Sequence, residues 1–203
     1  MPDPKKKEQI LEAASHCFAH YGFAKTTMDD ISKMVGLNKA SLYYYYKSKE
    51  AIFCEIIVQE KETFLYSLKK KVNAISIWHE KIQTYILERE HHFQKMVNLH
   101  KLSIKTSKQL RFQPMFRDLF NRFNIREMEM IREILDLAME TKQIQKIDTH
   151  KTAGIILCVV NGIKQQRMLL QMDNLNLGQF DFKEIEEDIR FATSLILNGL
   201  KTS

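Results

Sequence analysis

Glycine and proline are scarce in this chain of 203 residues, with six and three respectively. Between Lys39 and Ala153 there is no glycine, and Pro114 is the only proline. A β-rich domain needs turn residues every eight to twelve positions or so, so that architecture is excluded. Cysteine is equally sparse. Cys17, Cys54 and Cys158 lie far apart with no CxxC pair, which rules out a disulfide scaffold or a cysteine-rich zinc site. No apolar run reaches the ~18 residues that span a bilayer, and the opening MPDPKKKEQI lacks the apolar stretch of a secretory signal. The expected location is therefore cytoplasmic, with no membrane partner. Glycine-rich phosphate loops and nucleophile elbows are missing too, so no cofactor and no enzymatic activity are expected. His79-Glu80 begins a zinc-protease pattern but Gln83 stands where the second histidine belongs, and Glu88-x-x-His91 has no second copy. His91, His92 and His100 read as surface or pocket residues.

What is present is helical periodicity. Ile10, Ala14 and Phe18 mark a first helix, and Ile52, Ile56, Ile57 and Phe64 another. Ile131, Ile134, Leu135 and Ala138 follow, then Ala153, Ile156, Leu157, Val160 and Ile163, and last Ile185, Ile189, Ala192, Ile196 and Leu200. The fold class is all-α. Breaks are expected at 21–26, around 105–114, at 143–149 and at 173–181. Lys and Arg number 31 against 25 Asp and Glu, a net charge of +6 that is compatible with nucleic acid but proves nothing alone.

Residues 28–47, MDDISKMVGLNKASLYYYYK, are the most informative stretch. A helix-turn-helix needs a tight corner, and Gly36 tolerates the positive φ of such a turn. Ile31, Val35, Leu37, Leu42 and Tyr45 or Tyr46 can clamp the corner from both sides, with small Ser32 where the helices touch. Thr27 and Asn38 stand where side-chain oxygens cap the two helices. The competing reading is an ordinary helical hairpin inside a core. By spacing from Leu42, Tyr45 and Tyr46 face inward, while Tyr43 and Tyr44 face outward to touch DNA or to lie against a neighbouring helix.

The stretch ILEAASHCFAHYGFAKTTMDDISKMVGLNKASLYYYYKSKEAIF, Ile10 to Phe53, resembles the DNA-binding domain of TetR-family (tetracycline-repressor-like) transcriptional regulators. Phe18-x-x-Tyr21-Gly22-Phe23, the Thr26-Thr27 pair, the Gly36-Leu37 corner, Leu42-Tyr43 and Lys47-Ser48-Lys49-Glu50 carry the likeness. The family usually has Ala at Ser32 and Phe at Tyr46. The resemblance implies a three-helix helix-turn-helix domain over residues 1–50, with its motif at about 27–46. A helical effector-binding and dimerisation domain would occupy 51–203. It further implies a palindromic duplex DNA operator, bound by a homodimer and released by a small-molecule effector, most often as a repressor.

Groove chemistry assigns the roles. The N-terminal end of the second motif helix faces the bases, and here it carries Asn38, Lys39, Ala40 and Ser41. Lys39 can donate to guanine and Ala40 can meet a thymine methyl. Thr27 opens a helix N-terminus fit for phosphate, Tyr43 and Tyr44 reach the backbone, and Lys49 is a phosphate clamp by the resemblance. Lys5, Lys6 and Lys7 either track the backbone or are simply solvated. Residues 1–50 hold eight lysines and six carboxylates, too even a balance for a non-specific polycation.

In the family the last two long helices pair with their symmetry mates, here about 149–171 and 183–200. Apolar spacing alone fits an intramolecular core equally well. Trp78, Tyr85, Phe93, Met96, Phe112, Met115, Phe116, Phe120, Phe123 and Met128 are the candidate lining of a cavity for a mostly apolar effector, or plain core. The other functional reading is a helical small-molecule binding protein whose DNA-binding head is incidental.

Overall fold

The computed structural model describes residues 3–100, 110, 113–174 and 182–201, the side chains of 172–174 excepted. Among these residues there are eight helices and no strand: α1 Pro4–Tyr21, α2 Met28–Val35, α3 Lys39–Tyr45, α4 Lys49–Asn73, α5 Trp78–Leu99, α6 Pro114–Glu140, α7 Thr149–Asn174 and α8 Phe182–Asn198. A lone antiparallel bridge joins Ile144 to Lys201. The all-α expectation holds.

Local chemistry sets the boundaries. Asp3 caps α1 by accepting from the Lys5 amide at 3.0 Å, and Pro4 takes the first turn, where its missing N–H costs nothing. Gly22, at φ +81°, ends α1, and its N–H donates to the Phe18 carbonyl at 2.9 Å. The expected breaks at 21–26 and 143–149 are present as the α1–α2 and α6–α7 connections. Those at 105–114 and 173–181 lie largely outside the described residues. A further break, Ala74 to Ile77 between α4 and α5, is not foreseen by the sequence reading, since it contains neither glycine nor proline.

The chain forms two compact units. The first comprises residues 1–66 and 93–120, the second 67–92 and 121–203. In the first, α1 packs on α2 and α2 on α3 around Ile10, Ala14, Phe18, Ile31, Leu42, Ile52 and Phe53, all 0% exposed. Phe53 is the hub. Its ring centroid lies 5.4 Å from Phe18, 4.7 Å from Phe23, 5.1 Å from His100 and 6.2 Å from Phe116. In the second unit α7 packs on α8, with Ile131, Leu135, Ala153, Ile156 and Ile189 fully buried.

Candidate nucleic-acid interface

The motif starts at a capping box. The Thr27 hydroxyl accepts from the Asp30 amide (3.2 Å), while Thr27 donates its own amide (2.8 Å) and hydroxyl (2.7 Å) to the Asp30 carboxylate. Those hydrogen bonds, the hydroxyl's foremost, hold the Asp30 carboxyl below the usual carboxylate range. Folding through this box therefore gains from an ionised Asp30, a contribution lost as acid titrates it. Thr27's donors are engaged within the box, so the first-turn amides left for a phosphate are those of Met28 and Asp29, which have no helical acceptor.

The corner follows. Gly36 takes φ +70°, ψ +35° and its N–H closes on Ser32 and Lys33 carbonyls. A Cβ there would meet nothing within 4 Å, so the requirement for glycine is conformational. Ser32 is 3% exposed and its hydroxyl donates to the Asp29 carbonyl at 2.9 Å. A small polar residue is thus tolerated at the contact because its hydroxyl is satisfied locally. Asn38 caps α3 by accepting from the Ser41 amide at 2.8 Å.

On α3, Leu42 is fully buried and Tyr46, just past the helix end, is 5% exposed. Tyr45 packs partly against the core, while Tyr43 and Tyr44 are exposed, as helical spacing predicts. Lys39 and Ala40 are exposed and Ser41 half-exposed. One short helix therefore presents Lys39, Ala40, Tyr43 and Tyr44 outward while its opposite side is locked in core. Tyr46 donates to the Glu55 carboxylate at 2.9 Å, and Lys7 approaches the same carboxylate at 3.3 Å and lies over the Tyr46 ring. Of the N-terminal lysines, Lys7 is thus held to α4 rather than trailing in solvent.

Lys49, to which the resemblance assigns a phosphate-clamp role, is engaged in this structure by the turn that precedes α2. Its ammonium donates to the carbonyls of Phe23 (2.8 Å), Ala24 (3.1 Å) and Thr26 (2.8 Å) and sits over the Phe23 ring. Thr26, 1% exposed, donates its hydroxyl to the Gly22 and Cys17 carbonyls. Together they fix the turn that delivers Thr27 to the start of α2.

The candidate cavity residues are divided between the two units. Phe116 is fully buried in the core of the first unit, together with Phe18 and Phe53, and Phe120 packs against that core. Phe93 and Met96 belong to the first unit and Met115 is exposed. Trp78, Tyr85, Phe123 and Met128 belong to the second, and Phe112 lies outside the described residues.

In the second unit sequence reasoning missed a buried ionic cluster. Arg89 donates to Glu127 (2.8 Å), Glu90 (2.9 Å) and Asn161 (2.7 Å), and Lys164 to Glu90 at 2.9 Å. All four charged residues are 2–7% exposed. The signal was present: Arg89 lies one turn after Tyr85, and Lys164 one turn after Val160, on apolar stripes. Burial holds the Lys164 ammonium down to about 8, against an ordinary 10.5, despite Glu90. Between those values the unfolded chain binds more protons than the folded one, so this lysine makes stability rise with pH from about 8 to 10.5. Cys17 and Tyr46, held above their ordinary values mainly by burial, act in the opposite sense over part of that window. The lysine's share is therefore the difference in denaturant midpoint between the native chain and Lys164→Met, which should shift in the native chain's favour from about 8 to 10.5.

Residues 10–56 match the family model for bacterial regulatory proteins of the tetR family. The biofilm operon icaADBC HTH-type negative transcriptional regulator IcaR of Staphylococcus epidermidis is 49% identical over 47 residues, 23% of this chain and 25% of that protein. The matched segments span about a third of the length of the first curated relatives. Over the whole chain, a transcriptional regulator from Cytophaga hutchinsonii superposes with a TM-score of 0.79 at 28% identity, covering 96% of this chain and 98% of that one. The flavonoid-responsive regulator FrrA does so with a TM-score of 0.59 at 26% identity, covering 98% of each.

Proposed function

We propose, from the match of residues 10–56 to the tetR-family model, that the chain is a TetR-family regulator: a cytoplasmic, ligand-responsive repressor that binds a palindromic operator as a homodimer. The observation that carries this reading is α3, capped at its start, buried on one side and outward-facing at Lys39, Ala40, Tyr43 and Tyr44. Its N-terminal end carries a donor for guanine and a methyl for thymine, and its tyrosines supply phosphate contacts. Residues 1–50 form the DNA-binding part and 51–203 the effector-binding and dimerising part.

Dimerisation is supported by apolar side chains left at the surface of the last two helices. Ile155 and Leu169 on α7, and Phe191 and Leu195 on α8, are 47–68% exposed. Covering such residues with a second copy removes apolar area from water. A two-fold dimer reads half-sites about one helical turn apart. Repression is favoured by the likeness to a negative regulator, and ligand response by the likeness to a regulator responsive to flavonoids.

Selection of random duplex DNA by the purified protein is expected to enrich an inverted repeat, with a light-scattering mass twice that of the chain. Lys39→Ala should relax preference at one base pair per half-site and cost about 1–3 kcal/mol of binding. A folded dimer that enriches no sequence at low salt would overturn the proposal in favour of a helical small-molecule binding protein.

A further inference from the structure

Three elements of the first unit meet at one carboxylate. Glu55, in the second turn of α4, accepts from the Tyr46 hydroxyl at 2.9 Å. Its two oxygens also lie 3.4 and 3.3 Å from the ammonium of Lys7, in the first turn of α1. That ammonium in turn stands 5.2 Å from the centre of the Tyr46 ring. Tyr46 directly follows the last residue of α3, and its own amide donates to the Leu42 carbonyl at 3.0 Å. Burial first, and the hydrogen bond to Glu55 next, hold the phenol well above its ordinary range. The hydroxyl therefore keeps its proton and remains a donor.

Packing alone does not require that hydroxyl. Tyr46 is 5% exposed, and a phenylalanine would fill the same space. Apolar contacts such as those of Leu42 and the Tyr46 ring hold α3 down, but they are non-directional and set its rotation and tilt only loosely. A hydrogen bond is constrained in both distance and angle. The Tyr46–Glu55 bond lies at the end of α3 opposite the Asn38 cap, where it fixes what the apolar anchors leave free. We propose that Glu55 is the positioning residue of the base-reading helix. Through Tyr46 it holds the end of α3, through Lys7 the start of α1, and it so sets the angle at which Lys39 and Ala40 meet base edges. The inference rests on the DNA-reading role proposed above for α3. Base-edge hydrogen bonds tolerate little displacement, whereas a flexible lysine can follow a phosphate. Losing the latch therefore costs discrimination between sequences rather than affinity for DNA as such.

The test uses the full-length protein with Tyr46→Phe, Glu55→Ala and the double variant. Each is titrated with the duplex that the native chain enriches most and with a scrambled duplex of the same length. Tyr46→Phe is expected to lower the ratio of the two affinities about tenfold, the loss of one hydrogen bond to a charged group, with scrambled-duplex binding unchanged. Glu55→Ala should lower operator affinity as well, and the double variant should be no worse than Glu55→Ala alone. The sign is decisive, because removing a carboxylate from a surface that binds a polyanion otherwise strengthens binding. An unchanged ratio in Tyr46→Phe, tighter operator binding by Glu55→Ala, losses that add in the double variant, or an equal fall for both duplexes would each overturn the assignment while leaving the DNA-reading role of α3 in place. A native chain that enriches no duplex would overturn that reading, and this assignment with it.

Discussion

Arg89→Met is expected to destabilise the protein by about 3–5 kcal/mol, the usual cost of removing one partner from a buried ion pair. The guanidinium ties together α5, α6 and α7, through Glu90, Glu127 and Asn161. Methionine fills similar volume, so the loss is electrostatic rather than a cavity. Glu127, 2% exposed, keeps its carboxylate in the interior without the guanidinium at 2.8 Å. Urea unfolding should show the fall in midpoint with little change in slope. Adding Glu127→Met should return much of the loss, since a pair replaced by apolar groups is often neutral. A single-variant loss under about 1 kcal/mol, the range of exposed pairs, would mean that water reaches the cluster.

Lys49→Met is expected to cost about 1.5–3 kcal/mol, the range for hydrogen bonds to a charged group, and to lower operator affinity at least tenfold. The two effects share one origin: three carbonyls of the turn at 23–26 lose their donor, and Thr27 no longer enters α2 on a fixed path. The salt dependence of binding separates this from a phosphate contact. Loss of a phosphate-bound lysine reduces the slope of log K against log salt by about one. Loss of a residue that braces the turn leaves the slope almost unchanged while affinity falls. A slope reduced by one with unaltered stability would instead establish the clamp role.

Much of the helix-turn-helix corner was legible in the residues because its determinants are local. Thr27, Asn38, Gly36 and the Leu42–Tyr46 spacing act within one or two helical turns, and the structure gives each the cap, corner or facing that its position suggests. Lys49 was not legible in the same way. Its acceptors lie 23–26 positions earlier in the chain, and nothing about a lysine at a helix start distinguishes carbonyls from phosphate. Phe116 has a related limit: a phenylalanine on an amphipathic helix announces burial but not which core receives it. The charges at Arg89 and Lys164 stood on apolar stripes and could have been flagged from spacing alone, but their partners could not, since Glu127 and Asn161 come from other helices.

Helix α3 is seven residues long, about half the length at which an isolated helix begins to hold in water. It exists because Asn38 and the Leu42 and Tyr46 anchors impose it from outside. Its unfolding would remove only a few per cent of the helical content, so circular dichroism would scarcely register the event, yet the surface proposed to read bases would be gone. Operator occupancy is thus a more sensitive thermometer of the head's integrity than any spectroscopic measure of helix. Variants in the Phe53 core would lose DNA at temperatures where the bulk of the protein still looks intact.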